Sequence, residues 1–229
     1  MEQIAVATEP RVTIAEEVYR ALRRDVITLR HRPGAALTEQ ELASLYGSSR
    51  VPVREACRRL QQEGLLTAVA YKGYFVTRIS VREIADCFDL RLILETHALE
   101  RASRRLTDVD LDRLAAHASI EYVPDDWDSY VDFLEHNLDF HLQLASLSSN
   151  DRLVATLRDL LWSMQRYFFL GLDLGDYAGE MRGEHEELLD HLRRRAAVDA
   201  VACLRGQIGR SRDRIFQALK TDRIDLPLE

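Results

Sequence analysis

Residues 37–78, LTEQELASLYGSSRVPVREACRRLQQEGLLTAVAYKGYFVTR, read as two short helices, a tight turn and a two-stranded wing. Thr38 and Glu41 form a capping box that starts a helix at Glu39 and buries Leu42 and Leu45. Gly47 ends that helix, because glycine enters the left-handed region without steric cost. Ser49 is a good N-cap for the next helix, and Pro52 sits in its first turn, where the missing N–H does no harm. Val53, Ala56, Cys57 and Leu60 line its buried face, and Arg50, Arg54, Arg58 and Arg59 its outer one. Gly64 stops it, and the segment around Tyr71-Lys72-Gly73-Tyr74 reads as a hairpin. Any one of these features is ordinary; an arginine-rich helix face alone is a solvated surface. Together they stand in the order that lays the second helix in the major groove of DNA. Arginine pairs bidentately with guanine, while Ser, Lys and helix N–H groups hold phosphates.

The remainder of the chain is acidic, and the charge is unevenly divided. The 229 residues carry a net charge of −7. Residues 1–80 hold 12 Lys+Arg against 9 Asp+Glu, and residues 81–229 hold 19 against 29. The basic part is the part with the DNA motif, and an acidic remainder limits non-specific binding. No run approaches the roughly 18 apolar residues of a membrane span. The N-terminal MEQIAVATEPR lacks the basic start and apolar core of a signal peptide. Cys57, Cys87 and Cys203 are odd in number and well separated, so they read as buried, reduced thiols of a cytoplasmic protein.

A first helix is expected over Ile14–Leu29, capped by Thr13 and Glu16, with Ile14, Val18, Leu22 and Val26 as its apolar stripe. Ser80 and Glu83 mark a new helix start, which puts a boundary between a domain at 1–79 and one at 80–229. Helices are expected at about 81–105, 108–119, 126–147, 151–171, 177–195 and 199–220. Breaks include Tyr122-Val123-Pro124 and Gly171 to Asp176. Six helices without a strand call for an antiparallel bundle, so the fold class is mainly α: a winged helix-turn-helix plus a six-helix bundle. Asn137 and His141 are four apart on one helix and share a face. His185 and Gln207 flank the turn between the last two helices symmetrically, so antiparallel packing brings them to one height. Arg91 and Glu95 are also four apart, the spacing of an ion pair on a helix surface. Trp162, Met164, Tyr167 and Phe168 read as core or as an aromatic lining. His97, His117, His136 and His191 show no partner spacing.

PGAALTEQELASLYGSSRVPVREACRRLQQEGLL, followed by the Gly73-Tyr74-Phe75-Val76 wing, closely resembles the winged helix of the GntR family of bacterial transcription regulators. That resemblance implies DNA contacts from Gln40, Ser49, Arg50, Val51, Pro52 and Arg54, with Lys72 and Gly73 at the wing tip. Gln40 stands where arginine is frequent; its lack of charge argues against a phosphate or guanine contact there and leaves an adenine contact open. LRLILETHALERAS, NLDFHLQLASLSSN and EHEELLDHLRRRAAVDA look like the FCD type of C-terminal domain of the FadR branch, and six helices look like its VanR-like subgroup. Many such domains bind a divalent metal, zinc or nickel, through an Asp and three His beside a pocket for a small carboxylate. Here His141 and His185 match two of those positions, while Asn137 and Gln207 replace the Asp and the third His. Two neutral amides weaken a first-row metal site. The resemblance thus implies an effector-binding set of Arg91, Asn137, His141, His185 and Gln207. Either a degenerate metal site survives there, or the same side chains hydrogen-bond an organic ligand directly, which the amides favour. The functional expectation is a dimeric, ligand-responsive regulator, a repressor, that leaves a palindromic operator when a small organic acid binds. The rival reading, a helical metallohydrolase fused to a nucleic-acid-binding module, needs an open anionic or multi-histidine site and a general base, which two His and two amides do not supply.

Overall fold

The computed structural model describes residues 12–118, 122–123, 126–172 and 177–220. Pro124, the 173–176 break and the N-terminal segment therefore lie outside the described residues.

The N-terminal part builds on α1 (Ile14–Ile27), α2 (Glu39–Leu45) and α3 (Arg50–Gln62), with β1 (Ala36–Leu37), β2 (Leu66–Val69) and β3 (Gly73–Val76). Val18, Leu22 and Val26 of α1 pack with Leu42, Val53, Ala56, Cys57 and Leu60 into one core. The expected stripe begins one turn early: Ile14 is 63% exposed, since burial starts only at Val18. Leu45 is likewise 61% exposed, and Leu42 is the residue that the seven-residue α2 buries. The helix also ends two residues sooner than Leu29, with Thr28 as its C-cap. The Thr38–Glu41 capping box is complete. Thr13 accepts the Glu16 amide, but the Glu16 carboxylate turns away to Arg20 and Arg59 instead of closing a second box. Ser49 occupies the N-cap of α3 without a side-chain cap hydrogen bond, leaving its hydroxyl outside the helix.

The wing has three strands rather than two. β1 pairs antiparallel with β3 (Ala36 opposite Phe75), and β2 pairs with the other edge of β3 (Leu66 opposite Val76). A two-residue strand carries too little periodicity to be read from sequence.

The bundle comprises α4 (Val81–Ala102), α5 (Asp108–Ala118), α6 (Trp127–Ser146), α7 (Asp151–Leu172), α8 (Ala178–Arg193) and α9 (Ala197–Ala218). Ser80 caps α4 by accepting the Glu83 amide. α7 is the central helix: every residue from Met164 to Leu172 is buried, as expected of a helix packed on all sides. Met164, Tyr167 and Phe168 belong to this core, whereas Trp162 packs against both cores. No helix among the described residues is long and apolar enough to cross a membrane.

Arg23, Arg24 and Arg166 join the winged helix to the bundle. Arg23 of α1, held within the winged helix by Glu63 at 3.3 Å, reaches Glu135 of the bundle at 3.7 Å and lies 4.6 Å over the Trp162 ring. Arg24 pairs with Asp128 at 2.9 Å. Arg166 of α7, 2% exposed, donates to the carbonyls of Thr77 (2.5 Å) and Arg78 (3.3 Å). Ile79 is fully buried in the bundle core. The connecting segment is thus gripped from the bundle side, not a free swivel.

Candidate functional site: a nucleic-acid face and a bundle cavity

α2 and α3 meet across the Gly47 turn, where φ is +59°. Gln40, Ser49, Arg50, Val51 and Arg54 are exposed together at this end, with Pro52 half-buried. They are not independent. Arg50 donates to Gln40 Oε1 at 2.9 Å, and Arg54 clasps both Glu39 oxygens at 2.7 Å. The Arg54 hydrogen bonds hold the Glu39 carboxyl below its ordinary range. The clasp therefore aims Arg54 in advance and leaves its guanidinium half exposed. Arg59, expected on the outer face, faces α1 instead, with Glu16 at 2.6 Å and the Tyr19 ring at 3.5 Å. At the wing tip Lys72 is exposed, and its amide donates to Val69 O at 3.0 Å. Gly73 has a structural reason to be glycine: φ is +92°, and a Cβ would lie 2.9 Å from Leu37 O. Tyr71 nearby is fully exposed at φ +62°, a conformation that its sequence context does not signal. A non-glycine residue at positive φ on a solvent-facing tip marks a functional candidate.

Inside the bundle, α4, α6, α7, α8 and α9 surround a cavity of about 20 Å³, roughly the room of one water molecule. Arg91, Asn137, His141, His185 and Gln207 all line it, and all are buried. Arg91 and Glu95 do pair at i,i+4, but deep inside, with side chains 4% and 3% exposed. The second Glu95 oxygen lies 2.7 Å from His141 Nδ1, and Arg91 Nη2 lies 3.2 Å from His141 Nε2. Burial alone pushes the Glu95 carboxyl up; the Arg91 and His141 charges and hydrogen bonds more than offset this and bring it to about 2. His185 stacks on Phe140 at 4.1 Å. Burial, with the neighbouring His141 and Arg91, lowers its pKa to about 3, so its imidazole is neutral. Gln207 donates Nε2 to Glu184 O and, at 3.3 Å, to Cys203 Sγ. Its Oε1 and Asn137 Oδ1 are buried without a hydrogen-bond partner. Two orphaned carbonyls beside one cavity call for a donor.

Residues 14–76 match the model of the bacterial regulatory proteins of the gntR family, and residues 86–210 match the FCD domain. The chain belongs to the GntR family. It is 34% identical over 134 residues to the Nta operon transcriptional regulator of Aminobacter aminovorans, covering 58% of this chain and 63%, just under two thirds, of that one. It is 24% identical over 186 residues to the HTH-type transcriptional repressor RspR of Escherichia coli K12, covering 81% and 82%. The solved E. coli McbR/YncC superposes with a TM-score of 0.71 at 22% identity, over 91% of this chain and 100% of that one, and so shares its fold. As a GntR regulator with an FCD domain, this protein is a DNA-binding transcription regulator and not an enzyme.

The FCD cavity of this GntR protein does not suit the zinc or nickel that the family resemblance implies. Glu95 beside Nδ1 would suit a ligating histidine, but a metal needs the other lone pair free, and His141 Nε2 faces the Arg91 guanidinium at 3.2 Å. Asn137 and Gln207 add only neutral amide oxygens. Reasoning from sequence also missed Glu184, Ser211 and Arg214 as cavity residues. A signal existed: Gln207, Ser211 and Arg214 follow i, i+4, i+7 spacing on α9. Arg214 pairs with Glu184 at 3.3 Å, with both side chains nearly buried.

Proposed function

We propose that this protein binds a palindromic operator as a homodimer and represses transcription in the cytoplasm until a small hydroxy acid enters the bundle cavity. The single observation that carries the ligand reading is the cavity's polar inventory. Two buried guanidinium groups, those of Arg91 and Arg214, and two orphaned acceptors lie among its lining residues. A carboxylate would pair with Arg91, and hydroxyl groups would donate to Asn137 Oδ1 and Gln207 Oε1. In the DNA face, Arg50 and Arg54 meet base edges or adjacent phosphates, Val51 offers an apolar contact for a thymine methyl, and Lys72 acts as a charge near the backbone. Gln40 positions Arg50 rather than contacting DNA alone.

The division at Ile79-Ser80 then acts as a coupled joint. A cavity sized for one water cannot take a hydroxy acid unless the helices around it part, so binding necessarily selects a different bundle conformation. α7 carries both Phe168, which lines the cavity, and Arg166, which grips the joint carbonyls. Movement of α7 would change the spacing of the paired winged helices, and with it operator affinity.

The test is a gel shift on operator DNA with a panel of small carboxylates, hydroxy acids and matched alcohols. Hydroxy acids should release the wild-type protein. Arg91→Lys, which keeps the charge but loses the fork, should need at least about tenfold more ligand. Release by alcohols as readily as by acids, or full response in Arg91→Lys, would remove the carboxylate reading.

A further inference from the structure

Glu187 and His191 lie four apart on α8, so they share a face. Cys203 of α9 stands opposite, and one ligand atom from each of the three lies within 4.8 Å of the others. This triad is separate from the residues that line the cavity. Its side chains are reachable from solvent: Glu187 is exposed, and His191 and Cys203 are half-buried. The α8–α9 turn that sets their spacing is tied down. Arg195 turns it at φ +58° and bonds Leu106 O and, at 3.1 Å, Asp108 on the neighbouring α5.

We propose that Glu187, His191 and Cys203 form a binding site for a borderline-soft divalent cation of the zinc type. One thiolate, one imidazole and one carboxylate are a donor set that zinc accepts and that magnesium or calcium does not prefer. Donors in tetrahedral zinc sites sit roughly 3.3–3.8 Å apart, so small side-chain rotations close the set, and solvent supplies the fourth position. On binding, the Cys203 S–H bond gives its proton to solvent and an S–Zn bond forms. A supporting donor is already in place, because Gln207 Nε2 points at Cys203 Sγ at 3.3 Å. Such outer hydrogen bonds hold a ligand thiolate in register. Gln207 also lines the cavity, so it joins the two sites: a metal-bound thiolate is the stronger acceptor and fixes that amide.

The test uses the reduced full-length protein. Zinc is titrated against a chromophoric chelator, and cobalt(II) is added in a parallel experiment to read thiolate-to-metal charge transfer in the near ultraviolet. One ion per chain is expected, with the cobalt band present. Cys203→Ser and His191→Ala should each weaken zinc binding by about a hundredfold or more, since loss of even an outer-shell partner costs about 10–100-fold. Both positions are partly exposed, and retention of the helical circular dichroism signal checks the fold. Binding that survives Cys203→Ser, cobalt bound without the thiolate band, or no binding at micromolar metal would each overturn the assignment. Zinc retained in Cys203→Ser but lost in His141→Ala would place the metal in the cavity instead.

Discussion

Glu95→Ala is expected to lower the free energy of unfolding by about 3–5 kcal/mol, because it leaves the Arg91 guanidinium buried without its counter-charge. Arg91 and Glu95 are almost fully enclosed, and His141 closes the other side of the carboxylate. The double variant Arg91→Met/Glu95→Leu should recover most of that loss, since similar apolar volume removes both charges together. Chemical denaturation at neutral pH measures both. A loss under about 1 kcal/mol for the single variant would mean that water reaches Arg91 and the cluster is not sealed. The same cluster sets the acid response. Glu95 has a folded pKa of about 2, below its unfolded value, so its contribution is complete above roughly pH 4.5 and disappears as pH falls through about 2. His185, lowered to about 3, is held neutral in the fold, so its contribution is complete above roughly pH 6.5 and declines from there towards pH 3. Wild-type stability should therefore begin to fall below about pH 6.5, before the carboxylate contribution is lost.

Arg54→Ala should cost roughly 1–3 kcal/mol in operator binding and blur sequence preference, whereas Lys72→Ala should weaken all duplexes alike and reduce the salt slope by about one. Two features of the structure push the Arg54 effect towards the upper end. Arg54 is held in place before binding by both Glu39 oxygens, so little rotamer freedom is lost on docking. Its removal also leaves an unclasped Glu39 carboxylate facing phosphates. Glu39→Ala/Arg54→Ala should consequently bind operator better than Arg54→Ala alone. Equal affinity of wild type and Arg54→Ala, read by anisotropy on a labelled duplex, would show that α3 docks with another face towards DNA.

The winged helix was legible because its signals are local. Thr38 and Glu41, Gly47, and the Val53–Ala56–Cys57–Leu60 face each act within one or two turns of chain, and each stands where the sequence places it. The helices of the bundle were legible for the same reason, with ends shifted by up to a few residues where caps were weak. What sequence did not reveal was long-range pairing. Glu95 reads as a simple i,i+4 partner of Arg91, and its approach to His141 on α6 depends on how α4 and α6 pack. The Arg54–Glu39 clasp spans the helix turn, and Arg59 is drawn away from the outer face by Glu16, 43 residues earlier. Arg166 gives no sequence signal at all: an arginine within a largely apolar helix acquires its meaning only from two carbonyls nearly 90 residues away. The size of the cavity is likewise a packing outcome, which no spacing rule encodes.

Paired winged helices should read an operator of matching symmetry, and selection of binding sites from a pool of random DNA duplexes, with the mass of the selected complex measured, decides it. Enriched sites should hold two inverted half-sites at a fixed spacing, each site bound by two 26.3 kDa chains. No enrichment over the starting pool, or a single chain on a site without internal symmetry, would contradict it.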